Sequence, residues 1–162
     1  MYSIVTPVFN EEENVVEFYN RLLAVMNELE QSYEIIFVND GSNDRSMELL
    51  LTLRESDKKI KVIDFSRNFG HQMAISSGIN YSKGKAVIVL DSDLQDPPEF
   101  IPELIKEYKE GYDVVYAVRK KRKEGLLKRT AYSSFYRLFN KISHTEIPLD
   151  TGDFCIMDEH VV

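Results

Sequence analysis

Five side chains that can offer oxygen ligands crowd one short stretch, Asp91-Ser92-Asp93-Leu94-Gln95-Asp96, which ends in Pro97-Pro98. Asp91 and Asp93 are two residues apart, so a bend between them can aim both carboxylates at one point. Two anionic oxygens meeting there repel unless a cation joins them. Hard cations such as Mg2+ or Mn2+ take carboxylate ligands and commonly share them with the phosphates of a substrate. The chemistry suggested by these residues is a metal–diphosphate site.

The acids must be held by what precedes them. Ala86-Val87-Ile88-Val89-Leu90 is short, rich in branched residues and does not alternate, as expected of a strand buried on both faces. The acids then fall in the turn at its carboxyl end, where open α/β sheets bind ligands. The rest of the chain repeats strand, turn and helix. Tyr2 to Thr6 reads as a strand stopped by Pro7, and Val15, Tyr19, Leu22, Met26 and Leu29 keep helical spacing after it. Glu12 and Glu13 suit the N-terminus of that helix.

Tyr33 to Val38 is a second strand, ending in Asn39-Asp40-Gly41-Ser42-Asn43-Asp44. Asp40 is a ligand candidate there, while Ser42, Asn43 and Asp44 read as caps for a helix carrying Met47, Leu50 and Leu51. Lys61 to Ser66 is a third strand, joined by Arg67-Asn68-Phe69-Gly70-His71-Gln72 to a helix over Met73 to Tyr81. A lone histidine such as His71 is more often a structural donor than a catalyst. Pro98 opens a helix with Ile101, Leu104, Ile105 and Tyr108 on its buried stripe, Gly111 ends it, and Val114 to Val118 is a fifth strand. Connections this long between strands predict a parallel, doubly wound sheet. Asp150-Thr151-Gly152-Asp153-Phe154 reads as a site loop rather than a core element.

Charge is distributed unevenly. The chain of 162 residues has a formal net charge of -7, which argues against wholesale nucleic-acid binding, yet residues 119–141 carry nine Lys and Arg against Glu124 alone. Leu127, Ala131, Phe135, Leu138 and Ile142 run through that segment at helical spacing, and a basic amphipathic helix suits an anionic membrane surface. One cysteine, Cys155, excludes an internal disulfide and fits a reducing compartment. No signal peptide or membrane-spanning run is visible, and the ending Asp158-Glu159-His160-Val161-Val162 suggests a domain cut short at its C-terminus.

Rival sites can be set aside. A calcium loop of the EF-hand kind counted from Asp91 needs glycine sixth and a carboxylate twelfth, but Asp96 and Pro102 stand there. A dinucleotide-binding domain needs a glycine-rich turn after the first strand, and Pro7-Val8-Phe9-Asn10-Glu11 has no glycine.

Five motifs occur in order: Thr6-Pro7-Val8-Phe9-Asn10-Glu11, Val38-Asn39-Asp40-Gly41-Ser42, Ser66-Arg67-Asn68-Phe69-Gly70-His71-Gln72, Asp91-Ser92-Asp93-Leu94-Gln95-Asp96-Pro97-Pro98-Glu99 and Gly152-Asp153-Phe154. Together they resemble glycosyltransferase family 2 of the GT-A fold, and most closely the bacterial polyprenyl-phosphate glycosyltransferases related to dolichol-phosphate mannose synthase. The resemblance covers essentially the whole chain. One departure is Asn39, where family members often carry an acid.

The resemblance implies a three-layer α/β/α, Rossmann-like domain over residues 1–162 with a mostly parallel central sheet. It implies that Pro7, Asn10, Glu11 and Asp40 bind the donor nucleotide, and that Asp91, Asp93 and Gln95 hold Mg2+ or Mn2+ and the donor diphosphate. Arg119, Arg129 and Ser133 would hold an acceptor phosphate, and Asp153 would act beside the acceptor, with Asp93 as the second catalytic residue. The expected reaction moves a hexose, with inversion, from a nucleotide sugar (UDP-hexose by default) to a polyprenyl phosphate. The expected place is the cytoplasmic face of the cell membrane, with anchoring supplied by a C-terminal continuation. The alternatives are a family member acting on a soluble glycan and a nucleotide-sugar-binding module without turnover.

Overall fold

The computed structural model describes residues 1–118 and 151–162. The basic segment 119–141, with Arg119, Arg129 and Ser133, lies outside them. The chain divides into two compact units, Met1–Tyr116 with Asp153–Val162 and Ala117–Gly152. The candidate site belongs to the first.

The elements follow the order β1 (Tyr2–Val8), α1 (Val15–Glu28), β2 (Tyr33–Asn39), α2 (Ser46–Ser56), β3 (Ile60–Asp64), α3 (His71–Asn80), β4 (Ala86–Val89), a single 3-10 turn (Pro98–Phe100), α4 (Ile101–Lys109), β5 (Val114–Val118) and β6 (Thr151–Asp158). The six strands form one sheet in the order β3-β2-β1-β4-β6-β5. β1 to β4 pair in parallel, and β6 runs antiparallel to β4. Every residue of β1, β2 and β4 is buried, as a parallel sheet covered on both faces requires.

The two coverings differ. On one face α3 lays Ala74 and Ile75 against Val5, Ile36, Val38, Val87 and Val89. Gly78 permits that approach, since a Cβ there would stand 2.3 Å from Val5 Cγ1. On the other face Phe18 of α1 meets Phe37 edge to face with centroids 6.3 Å apart. Strand side chains alternate, so Phe37 points away from Ile36 and Val38. Both rings are fully buried, and burying each contributes about 1.5–3 kcal/mol. The result is a three-layer α/β/α fold with a mostly parallel sheet.

Three expectations need correction. β1 does not stop at Pro7 but runs on to Val8, because β4 leaves the ladder at Val5–Val89 and no bond is lost to the missing N–H. The stripe of α2 is narrower than its sequence suggests, for Leu50 is buried whereas Leu51 is 41% exposed. In the segment read as a site loop, Thr151 to Phe154 belong to strand β6, with Phe154 and Ile156 in the core, and Asp150 lies outside the described residues. A glycine and polar residues masked its strand character, and only pairing with β4 reveals it.

Candidate active site

The carboxyl ends of β1, β2 and β4 open on a cavity of about 270 Å³ lined by Pro7, Val8, Phe9, Glu11, Asp40, Asn68, Gly70, His71, Asp91, Ser92 and Asp93. It lies where the parallel strand order reverses: β2 and β3 are stacked on one side of β1 and β4 on the other. Strand ends at such a reversal leave a crevice between diverging connections.

One wall is the pair of turns after β1 and β2, which clasp each other. Asn10 N–H donates to Ser42 Oγ at 3.0 Å, Glu11 N–H to Ser46 Oγ at 2.8 Å and Glu12 N–H to Asp44 Oδ2 at 3.0 Å. In return Asn43 N–H donates to Asn10 Oδ1 at 2.8 Å and Arg45 N–H to Glu12 Oε2 at 2.9 Å. Glu12 therefore caps the start of α2, not that of its own helix. Asp44 does cap α2, accepting Ser46 N–H at 2.9 Å. Asn39 explains its own departure from the family pattern: its Nδ2 donates to Asp64 Oδ1 at 2.7 Å, a position where an acid would face another acid.

The floor is the loop between β3 and α3. Asp40, 3% exposed, accepts Phe69 N–H at 2.7 Å on one oxygen and Gly70 N–H at 3.0 Å on the other. Gly41 makes the approach possible: its φ is +66°, and a Cβ would sit 2.3 Å from the carbonyl carbon of Arg67. Gly70, at φ +102°, then turns the chain into α3 with His71 as its first residue.

The far wall is the turn after β4, Asp91 to Asp93, with β6 paired to that strand beside it. Ser92 Oγ donates to Pro7 O at 3.0 Å, tying the turn after β4 to the end of β1. The antiparallel register pairs Val89 with Cys155, and two further steps along it set Asp91 across from Asp153. His71 enters between them, with Nε2 2.8 Å from Asp153 Oδ2 and 3.6 Å from Asp91 Oδ1. The second distance is too long for a hydrogen bond, so Asp91 Oδ1 is buried without a partner. Burial pushes the Asp91 carboxyl above its ordinary value, and Asp153, Asp93 and Asp96 add to the shift against the opposing pull of His71.

A carboxylate oxygen kept dry, unpaired and beside further acids is costly. A divalent cation would offset that cost, and the donor set suits one: ligand atoms of His71, Asp91 and Asp153 lie within 4.8 Å of one another. The carboxylates suit Mg2+ and Mn2+ alike, and the His71 imidazole joins them only when its Nε2 carries no proton.

Of the residues expected at the site, Pro7, Glu11, Asp40, Asp91 and Asp93 line the cavity. Asp153 joins them through His71. Asn10 is exposed and committed to the clasp. Gln95 is exposed and outside the cavity lining, with its N–H donated to Asp93 Oδ1 at 3.0 Å. Asp93 thus shapes its own turn, and the cluster around Asp91 is completed by His71 and Asp153. His71 is the residue that motif reading undervalued. Its significance depends on the register of β6 against β4, which leaves no local trace in the sequence.

A family model described as glycosyl transferase family 2 matches residues 3–162. The chain belongs to that family. It is 54% identical over 161 residues to the uncharacterized glycosyltransferase YkcC of Bacillus subtilis, covering 99% of this chain and 50% of that protein. It is 42% identical over 161 residues to the bactoprenol glucosyl transferase of Shigella phage SfV, covering 99% and 52% respectively. The chain therefore spans about half the length of these family 2 relatives. Among solved structures it resembles glucosyl-3-phosphoglycerate synthase from Mycobacterium tuberculosis, crystallised with Mn2+, UDP and glucosyl-3-phosphoglycerate, at a TM-score of 0.69 and 19% identity over 99% of this chain and 57% of that one. That likeness establishes the shared GT-A fold.

Proposed function

We propose that residues 1–162 form the catalytic domain of a glycosyltransferase that moves a hexose from a nucleotide diphosphate to a polyprenyl phosphate. The observation that carries the reading is Asp91. The residue lines a cavity at the sheet's reversal point, its Oδ1 is buried without a hydrogen-bond partner, and His71 and Asp153 stand beside it. The 42% identity to a bactoprenol glucosyl transferase supports the acceptor class, and the basic segment 119–141 supports an anionic one.

In this reading Pro7 and Glu11 form the nucleotide wall, held rigid by the clasp, with Asn10 at its rim. Asp40 fixes the loop that closes the nucleobase end. Asp91 and Asp93, with Gln95 joining from the turn, hold Mg2+ or Mn2+ and the donor diphosphate. When bound, the cation stabilises charge developing on the departing diphosphate. Arg119, Arg129 and Ser133 hold the acceptor phosphate, and arginine's planar donors match its oxygens. A phosphate oxygen attacks the anomeric carbon from the face opposite the leaving diphosphate, so the new C–O bond forms as the bond to the diphosphate breaks and the anomeric configuration is inverted. A phosphate with its second pKa near 6 is already ionised at neutral pH. Asp153 consequently orients the acceptor more than it removes a proton.

Among the described residues no helix is long and apolar enough to cross a membrane. In the proposal the domain works at the inner face of the membrane, where the lipid acceptor resides. The test is a melting-temperature panel of UDP- and GDP-sugars with and without Mn2+, followed by product analysis with polyprenyl phosphate and with free glycans. A donor that raises the melting temperature only with metal, and is consumed only with lipid phosphate, is the expected outcome. Transfer to a free glycan instead would reject the acceptor, and metal-dependent binding without any transfer would reject the enzyme.

A further inference from the structure

We infer that His71 is a positioning residue whose Nε2–H holds the Asp153 carboxylate in one orientation at the acceptor side of the cavity. The inference rests on the proposed role of Asp153 and adds to it the group that makes that role possible. Asp153 has a side chain 43% exposed at the mouth of the site. Left alone, an exposed carboxylate samples several rotamers, and freezing one costs conformational entropy. It would also face Asp91 across the strand register, where like charges drive the two apart. A hydrogen bond from Nε2 to Asp153 Oδ2 at 2.8 Å addresses both problems.

His71 is itself held. Asp40 fixes Phe69 and Gly70 through their N–H groups. Gly70 O accepts Met73 N–H at 2.9 Å and Ala74 N–H at 3.2 Å, which starts α3. Ala74 and Ile75 then root that helix in the core. A continuous path thus runs from Asp40 just past β2, through Gly70 and His71, to Asp153 on β6. Asp40 influences the acceptor side without touching it.

The same nitrogen cannot serve two masters. An Nε2 that carries the proton donated to Asp153 has no lone pair for a cation. Positioning and metal ligation by this atom are therefore exclusive, and experiment can separate them.

The test compares wild type, His71→Ala, His71→Gln, Asp153→Asn and the His71→Ala/Asp153→Asn double variant in the full-length protein, with Mn2+, UDP-hexose and polyprenyl phosphate. His71→Ala is expected to lower kcat by about 10- to 100-fold, with the donor KM held within about twofold. His71→Gln, whose amide can reach the Nε2 position, should recover most of the loss. In the Asp153→Asn background His71→Ala should cost nothing further. Additive losses, or weaker Mn2+ binding by calorimetry in His71→Ala, would overturn the assignment, the latter in favour of a metal ligand. A readout free of turnover is the imidazole tautomer in long-range 1H–15N spectra: Nε2-protonated in wild type and redistributed in Asp153→Asn. An unchanged tautomer would sink the positioning role even in an active enzyme. Wild-type protein that transfers no sugar but shows the Asp153-dependent tautomer would count against the proposed function alone.

Discussion

Two acids sit at opposite ends of the central sheet, Glu34 near the start of β2 and Asp91 just past the end of β4. Glu34 is 7% exposed and surrounded by donors. Its Oε1 accepts Ser3 Oγ–H at 2.7 Å and Lys83 N–H at 2.7 Å, and its Oε2 pairs with Lys61 Nζ. Ser3 in turn accepts Gly84 N–H at 2.8 Å. Burial alone would raise the Glu34 pKa, but the Lys61 ammonium and the Ser3 and Lys83 donors outweigh it, and the carboxyl lies below its ordinary value. Asp91 has burial and three neighbouring acids pushing it up, with only His71 opposing. The fold can therefore satisfy a buried carboxylate when stability alone is at stake. At the carboxyl end of the strands it leaves one oxygen, Asp91 Oδ1, buried without a hydrogen-bond partner, as the proposed cation site requires.

The sharpest way to break this comparison is to neutralise Asp91. Asp91→Asn is expected to lower metal-dependent transfer by at least about 100-fold and to abolish the melting-temperature shift caused by Mn2+, while the metal-free protein stays folded. Retained turnover would remove Asp91 from the site. At the other end, Glu34→Leu strands the Ser3 hydroxyl and the Lys83 N–H, a loss of about 2 kcal/mol. That corresponds to a fall of about 4–8 °C in melting temperature, with the donor KM unchanged. A Glu34 variant that altered donor binding would erase the distinction between the two ends.

The smallest effect is the most discriminating, because the two acids should respond to pH with opposite signs. Glu34 has a lowered folded pKa, so its contribution is present above the ordinary glutamate value and is lost as pH falls through the depressed one. Asp91 has a raised folded pKa, so its contribution is present below the ordinary aspartate value and is lost as pH rises through the elevated one. The destabilisation caused by Glu34→Gln should shrink on acidification. The stabilisation of metal-free protein by Asp91→Asn should grow as pH rises above the ordinary aspartate value of about 4, measured by calorimetry with a chelator present.

Much of the architecture was legible because its causes are local. The apolar runs at β1, β2 and β4 are continuous since parallel strands are covered twice, and the 3.6-residue stripes of α1 and α4 reappear as Val15, Leu22 and Met26 and as Ile101, Leu104 and Ile105. The acids after β4 pointed to the carboxyl end of the sheet by their own chemistry, and Asp91 and Asp93 do line the cavity there. What misled was equally physical. Pro7 reads as a terminator only until one knows that its N–H side has no partner strand. Glu12 reads as a cap for the nearest helix, yet it reaches the next one. Asp153 reads as part of a loop because β6 earns its strand character from β4.

By itself, then, the sequence determined the βα repeat, the crevice at the carboxyl end of the sheet and the acids that occupy it, since turn chemistry and hydrophobic period act over a few residues. Tertiary structure decided which acids meet. The register of β6 on β4 carries Asp153 to Asp91 across a separation of 62 residues in the chain. The Asp40 carboxylate, by holding the turn before α3, brings His71 between them. Contacts of that range depend on strand order and register, which no local pattern records.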